Sequence, residues 1–377
     1  MRELKIFLVV VVFTALVYWG VEPYAHSVMK PHVAPANFDF QQEDLGFANS
    51  IVATKQAELE LAKAENNESK IETAQKALDL ANENLQKNQA LWDKVSKMDF
   101  SKADASKGAE FFSSNCIACH GLEAAGIAPT IPDSSIYGVL PPDLSGAGLL
   151  YDEKFLAALI MNPSLALKVD HKFGDAFIMT AYNVDVSGES EEVTDANIIN
   201  VIAYLKEVAT QHKADLEQKT KAELEAKYAK IEGISEKQKT ALIEKDLVFA
   251  KEKNTFIEAC GRCHSMKYDG LVAASNSNDL KGYLGSIPPD LSMMIRSRGE
   301  EYLNNFLNNT QKLLPGTAMP RVGLNEASQK EILAYMEKIG DSKKEEREST
   351  GLYIMLFFVI LSIFAIAWKR SVWSKLH

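Results

Sequence analysis

The sequence predicts a mainly α-helical protein in which two copies of one small domain, with helical spacer segments, lie between N- and C-terminal transmembrane helices. Three observations predict it. The pentapeptide Pro-Pro-Asp-Leu-Ser occurs at 141–145 and again at 288–292, each time downstream of a Cys-x-x-Cys-His motif, at 116–120 and 260–264. Two stretches, 47–98 and 206–253, are rich in Ala, Glu, Lys and Leu and lack proline, as long helices require. Uncharged apolar runs occupy 6–21 and 351–368. At 377 residues, the chain has room for two or three compact units.

Residues 1–24 are the first element. The apolar run follows Arg2 and Lys5 and closes on Tyr18, Trp19 and Glu22. It exceeds the ~7–15 residues of a signal-peptide core and carries interfacial aromatics at its outer end, so it reads as an uncleaved anchor. The alternative is a signal peptide cut at the poor site Ala25-His26-Ser27. Residues 25–99 form a helical, coiled-coil-like segment, with Leu59, Leu61, Ala62, Ile71, Leu78, Leu85, Trp92 and Val95 in loose helical register. Residues 65–69 either fold it into a hairpin or continue one long helix. A spacer or docking arm is the expected role.

The first repeat spans 100–210 and holds Cys116, Cys119 and His120; the second spans 251–342 and holds Cys260, Cys263 and His264. A short helical turn with this spacing presents two thiols to the two vinyl groups of one porphyrin, and the adjacent imidazole reaches its iron. The four cysteines of the chain are all used in this way. A zinc site would need a fourth ligand for each motif, and a dithiol redox pair has no use for the histidine. The expected cofactors are therefore two covalently attached haem c groups, each with an iron. Phe112 and Phe256 precede the motifs by four residues on what should be an N-terminal helix, and Tyr204 and Tyr335 fall on closing amphipathic helices. Equivalent points are offset by 144 residues at the cysteines, 147 at the prolines and 131 at the tyrosines, so the second copy is shorter in its distal part.

Each iron needs a sixth ligand, and a methionine thioether raises the potential of a haem. Met319 lies 55 residues after His264 in Pro-Gly-Thr-Ala-Met-Pro, a loop stiffened by two prolines, and Met179 lies 59 residues after His120. The rivals in the first copy are Met161, which reads as a helix-face core residue, and His171. Met293 and Met294 sit too close to the second pentapeptide to be ligands and read as core. The proximal histidine must also donate its second ring N–H, and a proline carbonyl in a rigid loop suits this: Pro141 or Pro142 for His120, Pro288 or Pro289 for His264. Arg296 and Arg298 suit pairing with haem propionates, with a solvated surface as the alternative.

The charged linker 211–250 breaks at Gly233-Ile234-Ser235-Glu236, which reads as a helix stop and restart. The last element, 349–370, is a membrane span of about the ~20 residues required. Lys369, Arg370 and Lys375 follow it, and with Arg2 and Lys5 before the first run, the positive-inside rule places both termini in the cytoplasm. A formal net charge of -10 argues against nucleic-acid binding and leaves an acidic face able to steer a basic partner or to serve solubility alone.

These residues resemble class I cytochrome c domains and, more narrowly, cytochrome c1, the haem subunit of the cytochrome bc1 complex. The narrower resemblance rests on the second pentapeptide continuing into Ile295-Arg296-Ser297-Arg298 and Glu300-Glu301-Tyr302, and on an anchor ending in Lys369-Arg370, Trp373-Ser374 and Leu376. It covers roughly 105–205 and 250–377. Two haem domains and a second anchor depart from the usual pattern and are similar to a diheme variant found in some bacteria. The resemblance implies a bacterial inner (plasma) membrane, haem domains in the periplasm, and cytochrome b and Rieske iron–sulfur subunits as partners. It implies electron delivery to a soluble cytochrome c or terminal oxidase, by a subunit of a quinol:cytochrome c oxidoreductase rather than a catalyst alone. The second domain, beside the C-terminal anchor and carrying the arginine pair, is slightly the better match to the cytochrome c1 position, whereas Met179 with Ala181-Tyr182-Asn183 in the first also resembles the cytochrome c1 ligand region. Alternatives are the diheme subunit of a cbb-type haem–copper oxidase and a diheme cytochrome c peroxidase.

Overall fold

The computed structural model describes residues 2–29, 35–169, 172–173 and 176–375, and these are mainly helical. The chain divides into the compact units Met1–Ala36 and Asn37–His377. In the first, α1 (Arg2–Leu16) passes through a π-helical turn (Val17–Val21) into α2 (Glu22–Met29). Its stretch Leu4–Val21 is long and apolar enough to cross a membrane, with its side chains exposed. At ~1.5 Å per residue those 18 residues span ~27 Å, close to the ~30 Å hydrocarbon core.

The second unit opens with a helical hairpin, α3 (Phe40–Ala64) and α4 (Glu68–Lys97). The break between them is local chemistry: Asn66 takes a left-handed φ of +52°, and the Asn67 side chain caps α4 by accepting from the Lys70 N–H at 3.2 Å. Helix α3 starts at Phe40 rather than at 47, because Asp39 caps it, accepting from the Gln42 N–H at 3.0 Å. Leu59, Leu78, Leu91, Trp92 and Val95 are buried on the inner faces.

The first Cys-x-x-Cys-His unit comprises α5 (Ala105–Asn115), α6 (Ala147–Leu150), α7 (Glu153–Met161), α8 (Pro163–Leu167), a two-residue antiparallel pair (Lys172–Phe173 with Ala176–Phe177), α9 (Val184–Ser187) and α10 (Glu191–Ala229). Phe112 on α5, Ile198 on α10, Phe155 on α7 and Leu122 are fully buried in its core, at ~1.5–3 kcal/mol for each apolar side chain. Gly108 permits α5 to cross α10: a Cβ there would come within 2.0 Å of the Asn200 carbonyl oxygen.

Helix α10 runs on without a break to Ala229, the chain turns at Gly233 (φ +83°), and a Ser235–Gln238 capping box starts α11 (Glu236–Cys260). The expected divisions at 210/211 and 250/251 thus fall inside helices. One helix closes the first unit, the other opens the second, and together they are also the connection. The second unit continues through α12 (Ser277–Leu284), α13 (Met294–Arg298), α14 (Glu300–Asn308), α15 (Thr310–Leu313) and α16 (Glu326–Gly340), around Phe256, Met266, Ile332 and Tyr335. Backbone bonds tie the halves together: Arg321 N–H donates to the Leu167 carbonyl at 2.9 Å, and Asp152 N–H to the Gly323 carbonyl at 3.1 Å. Helix α17 (Lys344–Trp373) ends the chain, and its portion Ser349–Trp373 is the second segment able to span a membrane.

Candidate functional site

Each Cys-x-x-Cys-His motif is a tight turn at the C-terminal end of a helix, α5 in one case and α11 in the other. The Cys119 and His120 N–H groups donate to the Cys116 carbonyl at 3.1 and 2.9 Å, and those of Cys263 and His264 to the Cys260 carbonyl at the same two distances. Phe112 and Phe256, fully buried one helical turn earlier, hold the two turns on their cores. A short 3₁₀ turn follows each motif (Glu123–Ala125 and Lys267–Asp269) and ends in a left-handed glycine, Gly126 or Gly270.

The duplicated pentapeptide acts on these turns in the same way twice. His120 Nδ1 donates to the Pro142 carbonyl at 2.9 Å, and His264 Nδ1 to the Pro289 carbonyl at 2.8 Å. In both pairs the second proline is the acceptor. Pro141 and Pro288, the first of each pair, are half-buried beside it. A proline carbonyl suits this role because the ring fixes φ and the residue has no N–H of its own to place. Asp143 accepts the Glu123 N–H and Asp290 the Lys267 N–H, both at 2.9 Å. The serine hydroxyls of Ser145 and Ser292 accept the next amides, those of Ala124 and Tyr268, at 3.0 and 3.1 Å. Leu144 and Leu291 N–H groups donate to the carbonyls of Gly121 and Ser265, directly after each histidine. The aspartate and serine roles were not foreseen from the sequence, although the exact repetition of all five residues was the available signal. Because Ser292 is fully buried, Ser292→Ala leaves the Tyr268 amide without its acceptor. It is expected to lower unfolding stability by about 1–3 kcal/mol in a denaturant titration.

The donor set fits haem c. Burial lowers the pKa of His120 and of His264 against the opposing pull of their proline carbonyls, so each ring is neutral at pH 7 with Nδ1 already bonded and Nε2 left to reach an iron. Burial first, and the neighbouring thiol second, push Cys116 up to about 11 and Cys260 up to about 12. Among the described residues, no group of three or more His, Cys, Asp or Glu side chains is placed to hold a metal by itself.

The other expected ligands are placed as follows. Met319 is half-buried and packs against the second core, with its N–H donating to Thr317 Oγ1 at 3.3 Å. Met179 is half-buried just beyond the two-residue strand pair. Met161 is buried in the first core on α7, and Met294 packs on the second core; Met293 is exposed, against the expectation of core, because it sits at the cap of α13. His171 lies outside the described residues. Arg296 and Arg298 are exposed on α13, and the Arg298 guanidinium lies 5.5 Å from the Tyr302 ring centroid. An arginine inside the second motif, Arg262, reaches the loop that holds His120 in the other repeat: Nη1 donates to the Leu140 carbonyl at 3.2 Å, immediately before Pro141-Pro142. Its charge also acts on His120.

Residues 105–209 match the cytochrome c family. They form a cytochrome c domain. Such a domain carries covalently bound haem c, and here Cys116, Cys119 and His120 are the residues that would hold it. A solved chain described as "Hyperthermophilic respiratory Complex III" is similar over 34% of this chain and 77% of its own length, at 22% sequence identity and a TM-score of 0.29. The cytochrome c domain thus begins with α5 and ends in the middle of α10.

Proposed function

We propose that the chain is a membrane-anchored diheme c-type cytochrome that relays single electrons, in the role of the cytochrome c1 subunit of a quinol:cytochrome c oxidoreductase. The observation that carries the second haem is the bond-for-bond repetition of the histidine-holding network at His264, Pro289, Asp290 and Ser292. Haem c, when bound, supplies an iron that takes up and releases one electron at a time. The chain's residues do the rest: Cys116, Cys119, Cys260 and Cys263 fix the two groups, and His120 with Met179 and His264 with Met319 supply the axial ligands. Pro142 and Pro289 orient the imidazoles. Arg296 and Arg298 are assigned to the propionates of the second group.

The bond from Arg262 to Leu140 supports transfer between the two groups inside one chain, because the attachment turn of one repeat rests on the loop that orients the histidine of the other. A positive charge beside a haem favours its reduced form. Arg262→Gln is therefore expected to lower the potential of the first haem by about 30–60 mV, measured by redox titration against wild type.

The two membrane-crossing candidates and the basic residues outside them support cytoplasmic termini and a periplasmic haem unit at a bacterial inner membrane. The run 288–302 and the tail resembling cytochrome c1 support cytochrome b and a Rieske protein as partners, and a soluble cytochrome c or an oxidase as acceptor. The test is mass spectrometry of the mature chain together with identification of the subunits that leave detergent-solubilised membranes with it. Two haem masses are expected, falling to one in Cys260→Ser/Cys263→Ser, with cytochrome b and a Rieske protein in the complex. One haem in wild type, or a copper-containing subunit in place of those two, would overturn the reading.

A further inference from the structure

Two consecutive acidic residues early in α3, Glu43 and Asp44, are buried although they carry charge. Asp44 is 1% exposed and meets Arg321, which is 0% exposed, through Oδ1–Nη1 at 2.5 Å and Oδ2–Nη2 at 2.8 Å. It also accepts from Trp92 Nε1 at 3.0 Å and pairs with Lys168 Nζ at 2.9 Å. Arg321 Nε donates to the Ala166 carbonyl at 3.2 Å, and the guanidinium lies 5.1 Å from the Phe40 ring centroid and 5.3 Å from that of Phe155. Glu43 Oε1 accepts from Asn309 Nδ2 at 3.1 Å and from Lys312 Nζ at 2.9 Å.

Three of these partners, Asn309, Lys312 and Arg321, bracket one segment. Asn309 and Lys312 lie before the loop that carries Met319, and Arg321 lies two residues after it. Inside the bracket the loop is braced by Gln311, whose Nε2 donates to the Thr317 carbonyl and whose Oε1 accepts from the Gly316 N–H, both at 2.9 Å. Buried ion pairs add little stability over apolar packing, and their best-attested use is to fix a register. Lys168 reaches Asp44 from a left-handed conformation (φ +57°) that a residue with a Cβ rarely adopts.

We propose that Glu43 and Asp44 are a two-point clamp on the Met319 loop, so that the N-terminal hairpin, through residues some 270 positions away, positions the sixth ligand of the second haem. The inference rests on Met319 being that ligand. Both are positioning residues: they hold the loop and do not touch the group. Without the Asp44 charge, Arg321 is left buried and uncompensated, and its withdrawal toward water carries Pro320 and Met319 with it.

The test uses the full-length, haem-loaded protein in detergent. Two readouts report methionine ligation: the methionine–iron charge-transfer band of the oxidised protein, and carbon monoxide binding by the reduced protein. Asp44→Asn is expected to cut the band to about half its wild-type amplitude and to open one haem per chain to carbon monoxide, while the first haem keeps its potential. Asp44→Glu is expected to restore most of the band. Should Asp44→Asn fail to accumulate, Glu43→Gln loosens the other point alone and is expected to raise carbon monoxide binding at one haem. A wild-type band and no carbon monoxide binding in the folded variant would overturn the clamp, as would equal loss at both haems, the mark of general loosening. If Met319→His moves no potential, the ligand assignment falls and the clamp with it. If Met319→His does move one potential and the folded clamp variants match wild type, the clamp alone falls.

Discussion

Replacing Met319 with histidine is expected to lower the midpoint potential of one haem by on the order of 100 mV or more and to leave the other unmoved. The reason is chemical: a thioether favours ferrous iron, whereas a second imidazole donates more strongly and favours ferric, and axial ligands move haem potentials over a wide range. The loop around Met319 is held at both ends and braced by Gln311, so the substitution changes the ligand more than the backbone. Spectroelectrochemical titration of the full-length chain checks it. Met179→His is expected to move the other potential, and Met161→Leu neither, because Met161 is a buried residue of the first core. Two unmoved potentials in Met319→His would remove Met319 from the ligand set.

Phe155→Ala is expected to lower unfolding stability by about 3–5 kcal/mol, the range for deleting a fully buried aromatic side chain. Phe155 has no exposed surface. Its ring lies 5.4 Å from Phe40 of the hairpin and 5.3 Å from the Arg321 guanidinium, and a Cβ on Gly323 would come within 2.0 Å of it. One side chain thus joins the hairpin, the cytochrome c domain and the second repeat, so its cavity cannot close without moving three segments. Denaturant unfolding followed by circular dichroism measures the loss, and a cost under about 1 kcal/mol would show that the junction repacks freely.

The helical class, the two apolar terminal runs and a cytochrome c domain were legible in the sequence because each is a local property. The hairpin break was half-legible. Asn66-Asn67 offered a turn, but the choice between turn and continuous helix depended on packing of α3 against α4. The start of α3 is not legible, because Gly46 reads as a boundary, whereas the Asp39 cap and the burial of Phe40 carry the helix through it. Arg262, set between two cysteines, carries no local signal. Its meaning comes from the Leu140 carbonyl, 122 positions away, which no local pattern points to.

By itself the sequence carried what must be contiguous: two thiols and an imidazole in one turn, an uncharged run long enough for a bilayer, and a pentapeptide that occurs twice without change. Covalent attachment and membrane solvation both act over a few neighbouring residues, so they are written in adjacent letters. The tertiary structure alone decided which proline carbonyl meets each histidine, that α10 and α11 are shared between repeat and connection, and that Asp44 and Arg321 meet. A buried carboxylate is costly until a cation comes to it, and which of the many cations arrives is settled only when distant helices pack.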